Sequence, residues 1–136
     1  MDSFAIITTA LLAIMGLFHF YWAFGGEAGL HKALPTKDGR RLINPGRFLT
    51  LFVGIALLGS SFVAYALHFN ALHSDYLLYA GWFLSLLFLM RAVGDFHAVG
   101  FFKKIRSTAF AAYDTKYFSP LCVYLSVAFA LLSYRA

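Results

Sequence analysis

The sequence predicts an all-α integral membrane four-helix bundle, and three observations lead there. Of the 136 residues, 61% are hydrophobic and only 12% charged, whereas soluble domains run nearer half apolar and a quarter charged. A chain long enough for one domain has no soluble core that would hide so much Leu, Phe and Ala, so lipid must solvate most of it. Four apolar runs each approach the ~20 residues that cross a ~30 Å hydrocarbon layer. Lys and Arg, finally, fall almost entirely between alternate runs, on one side of the expected membrane.

The first run is Phe4–Phe24. It has no basic stretch before it and no small-residue cleavage pattern after it, since "HFYWAFGG" follows, so it reads as a retained span and not as a signal peptide. The second is Phe48–Phe69, and the third extends from Tyr76 to about Phe96. The fourth covers roughly Thr115–Tyr134. Ser119–Pro120 resembles a cap followed by a first-turn proline, but a helix starting there spans only roughly 22 Å. Asp114 as the N-cap restores the length and makes Pro120 an early kink. The whole chain, 1–136, is therefore expected to form a single transmembrane domain.

Two segments between the runs have structure of their own. In "GGEAGLHKALPTKDGRRLINPGR" the "KDGR" signal between "ALPT" and "RLIN" predicts a short hairpin. After the third run, Phe102, Ile105, Ala109 and Tyr113 recur at helical spacing. That stripe fits a helix lying among lipid headgroups, and it fits equally an extension of the third helix.

Charge sets the orientation. Lys32, Lys37, Arg40, Arg41 and Arg47 follow the first run, and Lys103, Lys104, Arg106 and Lys116 follow the third. The opposite side carries only Arg135. Loops that stay in the cytoplasm keep the positive charge, so both termini should face outward. The same distribution explains the net charge of +5 without nucleic acid, which is not expected as a partner.

The residues with chemistry cluster toward the basic side. Arg91 and Asp95 are four apart, so on a helix they share a face and can pair. Counted from Tyr76, Arg91 lies roughly 22 Å along the helix, short of the boundary, where an unpaired charge is costly. Two readings stand open: an ion pair or snorkelling arginine that only anchors the helix, and a ligand or ion site. His97 is six residues from Arg91, about 240° round a helix, and does not complete a triad with the pair. His19 lies at similar depth, followed by Tyr21, Trp22, Gly25, Gly26 and Glu27. Tyr and Trp fit the interfacial aromatic belt, and the two glycines let the chain bend so that Glu27 folds back. His19, Trp22, Glu27, Arg91 and Asp95 are thus the candidate ligand-binding set of a polar pocket, with a packing role the bland alternative for His19. Arg40, Arg41, Lys103, Lys104 and Arg106 are the candidate lipid-headgroup contacts.

Sharper chemistries fare less well. His19 with His97 is too poorly matched for b-type haem ligation, and His19, Glu27, Asp95 and His97 have no compact metal-site spacing, so neither a metal nor any other cofactor is expected. Cys122 stands alone in an apolar run, without a disulfide or CxxC partner. No phosphate-binding glycine loop, zinc helix or nucleophile elbow occurs. Gly54 and Gly59 are five apart and do not make a GxxxG contact.

"HFYWAFGGEAGLHKALPTKDGR", "RAVGDFHAVGFFKK" and "FAAYDTKYFSPLC" together resemble a domain-of-unknown-function family of small bacterial four-helix membrane proteins, over nearly the whole chain. The matching positions are His19, Tyr21, Trp22, Gly25, Gly26, Pro35, Arg91, Gly94, Asp95, Phe101, Lys103, Asp114 and Pro120. The resemblance implies a multi-pass protein of the bacterial inner membrane, hence periplasmic termini, and a link to envelope integrity. It implies no activity. The expected role is accordingly non-catalytic: support of envelope homeostasis by binding a lipid headgroup, a small ligand or a partner. The expected partners are membrane lipids, an envelope protein or a second copy of the chain. An oligomeric small-molecule or proton/ion transporter is the alternative, because intramembrane charges mark ion paths. A membrane enzyme or haem protein comes third; an enzyme would need His19, Glu27 or Asp95 as acid or base.

Overall fold

The computed structural model describes residues 2–26, 36–37, 40–41, 46–69, 74–94, 100–103 and 112–136, and of the four residues at 36–37 and 40–41 the backbone alone. Four helices are long and apolar enough to cross a membrane. Helix α1 is Asp2–Ala23, α2 is Arg47–Phe69 and α3 is Asp75–Val93. The last span, Asp114–Arg135, consists of a wide turn at Asp114–Phe118 and then α4, Ser119–Arg135. Between α1 and α2 the expected hairpin is present as two short antiparallel strands, β1 (Thr36–Lys37) and β2 (Arg40–Arg41), with Lys37 opposite Arg40. Of the stripe at Phe102, Ile105, Ala109 and Tyr113, Ile105 and Ala109 lie outside the described residues.

The apolar runs of the sequence predict the helix bounds closely except at the end of α3. Its start is capped by Ser74, whose hydroxyl accepts from the Tyr76 N–H at 3.2 Å, with Asp75 in the first turn where the helix dipole favours an anion. Its end is Val93 and not Phe96. Gly94 takes φ 85°, a conformation open to glycine and strained for other residues, and its N–H closes the final turn on the Met90 carbonyl at 2.8 Å. Asp95 lies outside the described residues, two positions past the last residue of α3.

The helices run alternately up and down. His68 at the end of α2 donates to the Asp2 carboxylate at the start of α1 at 2.7 Å, and Arg91 at the end of α3 donates to Asp114 at the start of the fourth span at 3.1 Å. α1 packs chiefly on α2, and α3 on α4. Contacts of α2 with α3, and of α4 with α1 and α2, join the two pairs. The fourth span is the most enclosed, with 44% of its apolar window buried against 17–28% for the others. Its buried residues Cys122, Leu125, Ser126, Phe129, Leu132 and Ser133 follow the three–four rhythm of one helix face.

Small and hydroxylated residues line these contacts, while Ile6, Leu17, Phe52, Ile55, Phe83 and Leu86 point outward. Lipid is as apolar as leucine, so burying leucine gives no association energy there; close approach and interhelical hydrogen bonds do. Gly16 and Gly54 supply the close approach between α1 and α2: a Cβ on either would sit within 3.2 Å of the other's carbonyl oxygen. The contact is between helices, which explains why GxxxG spacing within one helix does not reveal it. Beside it, Ser61 donates to the Thr9 carbonyl at 2.7 Å. Between α3 and α4, Ser85 and Ser126 each donate to the other's carbonyl, at 2.7 and 2.8 Å. The Thr8 hydroxyl donates to the Phe4 carbonyl, so Tyr124 donates in turn to Thr8 at 2.9 Å and ties α4 to α1.

Candidate functional site

The site forms where α3 ends and the fourth span begins. Arg91 is in the last turn of α3. Beyond Gly94 the chain returns to the helix end, for the Phe101 N–H donates to the Ala92 carbonyl at 2.8 Å. Gly100, at φ 88°, makes that return: any Cβ there would run into the Val93 carbonyl oxygen. The return places the Gly100 N–H and the Lys103 side chain beside the fourth span. Asp114 stands opposite them at its start.

Asp114 is not the N-cap that the sequence predicts. Ala112 and Tyr113 are already helical, and Asp114 opens a π-helical turn in which the Ser119 N–H bonds the Asp114 carbonyl, five residues back. Pro120 accounts for the wide turn. It has no N–H, and its ring crowds the carbonyl four residues earlier; widening the turn before it takes up the strain that a kink otherwise would.

The Asp114 carboxylate is fully buried, and four donors reach it among the described residues. Oδ1 accepts from Arg91 Nη2 and from the Ser119 hydroxyl, both at 3.1 Å. Oδ2 accepts from the Gly100 N–H at 2.7 Å and from Lys103 Nζ at 3.1 Å. Two oxygens with about four acceptor sites are thus saturated. Lys103 is equally buried. Its ammonium donates to Asp114, to the Gly100 carbonyl at 2.9 Å and to the Thr115 hydroxyl, which uses all three protons. Taking such charges out of water costs several kcal/mol each, and only mutual pairing with full hydrogen bonding offsets it.

Arg91 differs. Its side chain is 35% exposed, and Nη1 is a buried donor without a partner. Among the described residues two cations face this one carboxylate, and the partly exposed one is Arg91.

The candidate residues read from the sequence separate accordingly. Arg91 is in the cluster, and its carboxylate partner is Asp114. Lys103, read as a headgroup contact, turns inward onto Asp114; burial of a lysine is tolerated here because every proton finds an acceptor. His19 lies on α1 against α2. Its Nδ1 donates to the Met15 carbonyl at 2.7 Å, and its ring meets the Trp22 edge at 5.2 Å. Among the described residues no hydrogen bond or ion pair links His19 to Arg91. Glu27, Asp95, His97, Lys104 and Arg106, and the Arg40 and Arg41 side chains, lie outside the described residues. Among the described residues no three His, Cys, Asp or Glu side chains gather as metal ligands would.

Asp114, Ser119 and Gly100 are the members that helix-face reasoning does not find. For Asp114 the one sequence signal is the family resemblance, whose matching positions include Arg91, Lys103 and Asp114 together; Gly100 and Ser119 are not among them. No curated protein and no solved structure matches the chain. A family model described as protein of unknown function, DUF3995, matches residues 12–129, a stretch that contains the whole Asp114 cluster, and the chain belongs to that family.

Proposed function

We propose that this protein is a non-catalytic, multi-pass protein of the bacterial inner membrane that supports envelope homeostasis by binding anionic phosphate headgroups at Arg91. In this reading both termini are periplasmic, and the Arg91 end faces the cytoplasmic leaflet. The observation that carries it is the state of Arg91: partly exposed, held by a buried carboxylate through Nη2, with Nη1 a buried donor that has no partner among the described residues, and a second cation, Lys103, on the same carboxylate. A guanidinium fixed by one carboxylate is oriented for a second anion, and guanidinium–phosphate bonds are among the strongest hydrogen bonds in proteins. Arg40, Arg41, Lys104 and Arg106 add longer-range attraction, each worth about 1 kcal/mol near an anionic surface.

The test is lipid identification by native mass spectrometry on protein released from detergent, wild type beside Arg91→Gln. The expected result is that anionic phospholipid stays bound to wild type and is lost from the variant, while zwitterionic lipid is held equally by both. Equal retention of anionic lipid by a folded Arg91→Gln, or by a folded Arg91→Glu, would refute the reading. The same spectra give the oligomeric state.

A further inference from the structure

The groups around Asp114 are of general use for anions. A guanidinium, an ammonium, a hydroxyl, and a backbone N–H presented by a glycine at positive φ converge on two oxygens at 2.7–3.1 Å. Charge-assisted donors with a main-chain N–H are what phosphate and carboxylate sites are made of. Here the chain fills such a site with a side chain of its own. Ordinary ion pairing does not require this arrangement, since one cation would neutralise Asp114, whereas two cations and two neutral donors surround it.

We infer that Asp114 is the in-chain occupant of an oxyanion site, and that a phosphate group binds by exchanging with its carboxylate. The inference deepens the proposed function and rests on it for a lipid as the source of the phosphate. Arg91 is the point of entry, as the partly exposed member of a set in which Asp114, Lys103, Gly100 and Ser119 are all buried. Nη1 gives the incoming anion a donor that Asp114 does not use. Two anions in one site repel, so the arriving phosphate takes over donors from the carboxylate. Lys103 stays anchored throughout by the Gly100 carbonyl and the Thr115 hydroxyl. Occupancy of the site is thereby coupled to the contact between the Gly100 return and the fourth span.

Chemical rescue tests this. Asp114→Ala in detergent is titrated with sodium formate, which replaces the missing carboxylate, and with inorganic phosphate, against sodium chloride at equal ionic strength. Both anions should raise its unfolding temperature saturably while chloride does not, and phosphate should bind at least about tenfold more tightly than to wild type, as expected when a charged competitor is removed. Adding Lys103→Met should abolish the rescue. Absence of any anion-specific response overturns the inference. If Asp114→Ala does not fold in chloride, refolding yield becomes the readout: formate- or phosphate-dependent refolding supports the site, and failure to refold in all three salts while Asp114→Asn refolds in all three overturns it. Nanodiscs of phosphatidylglycerol or phosphatidylcholine separate the sources of phosphate. Formate rescue without phosphatidylglycerol preference in either protein keeps the exchange, assigns free phosphate as the ligand and refutes the lipid function. Phosphatidylglycerol preference unchanged by Asp114→Ala, without rescue, removes the exchange and keeps the lipid function.

Discussion

Among the described residues two carboxylates join helix ends, one at each end of the bundle, and they are built on opposite terms. Asp2 meets His68 through one contact at 2.7 Å, with its own side chain 80% exposed. Asp114 is buried and receives four donors, two of them cationic. Water and salt screen the first, so the contact adds little to stability. The second is shielded from water, and its structural weight comes from what would be stranded without it. Charge alone does not measure importance; desolvation and the number of dependent donors do.

Substitutions sharpen that contrast. The largest effect is expected from Asp114→Ala, which leaves Lys103 and three further donors facing an empty site. Breaking a buried ion pair in this way costs about 3–5 kcal/mol, read as a fall in unfolding temperature in detergent. A fall no larger than that of a surface variant would erase the distinction between the two ends. Gly100→Ala should come next. Strained backbone at positive φ costs roughly 1–3 kcal/mol, and the new Cβ also meets the Val93 carbonyl, so the loss should rise toward that of Asp114→Ala if the return and the carboxylate act as one unit. Ser85→Ala removes one of the two reciprocal bonds between α3 and α4, and interhelical bonds of this kind average about 0.6 kcal/mol. At the bottom of the scale, Asp2→Asn should leave the unfolding temperature unchanged within error. A clear drop there would show that the His68 contact is shielded in the membrane as it is not in the structure.

How far these features were legible in the sequence follows from how local their causes are. A span is written in about twenty consecutive residues, so all four were readable, and so was the hairpin, written in Asp38–Gly39 between its strands. The end of α3 depended on one glycine adopting positive φ, which an apolar run extending to Phe96 concealed. Lys103 and Asp114 were misread for a related reason. A lysine beside a span usually marks the headgroup boundary, and an aspartate before an apolar run usually caps a helix. Both rules assume that the nearest environment decides, but here a chain reversal through Gly94 and Gly100 carries Lys103 to Asp114. No helical wheel contains that contact. The small-residue contact of Gly16 with Gly54 escaped similarly, because its two halves lie on different helices.

The π-helical turn at Asp114–Phe118 gives the fourth span an adjustable phase. Such a turn holds one residue more than an α-helical turn, and one residue of an α-helix subtends about 100°. Removing a single residue there would leave the buried stripe from Cys122 to Ser133 on its present heading, yet swing Asp114 by about a quarter turn, away from Arg91 and Lys103. One amino acid of length therefore decouples two properties of the helix: how it sits among its neighbours and where its carboxylate points. A one-residue deletion would read out as a protein with its spans in place and its charged centre dismantled.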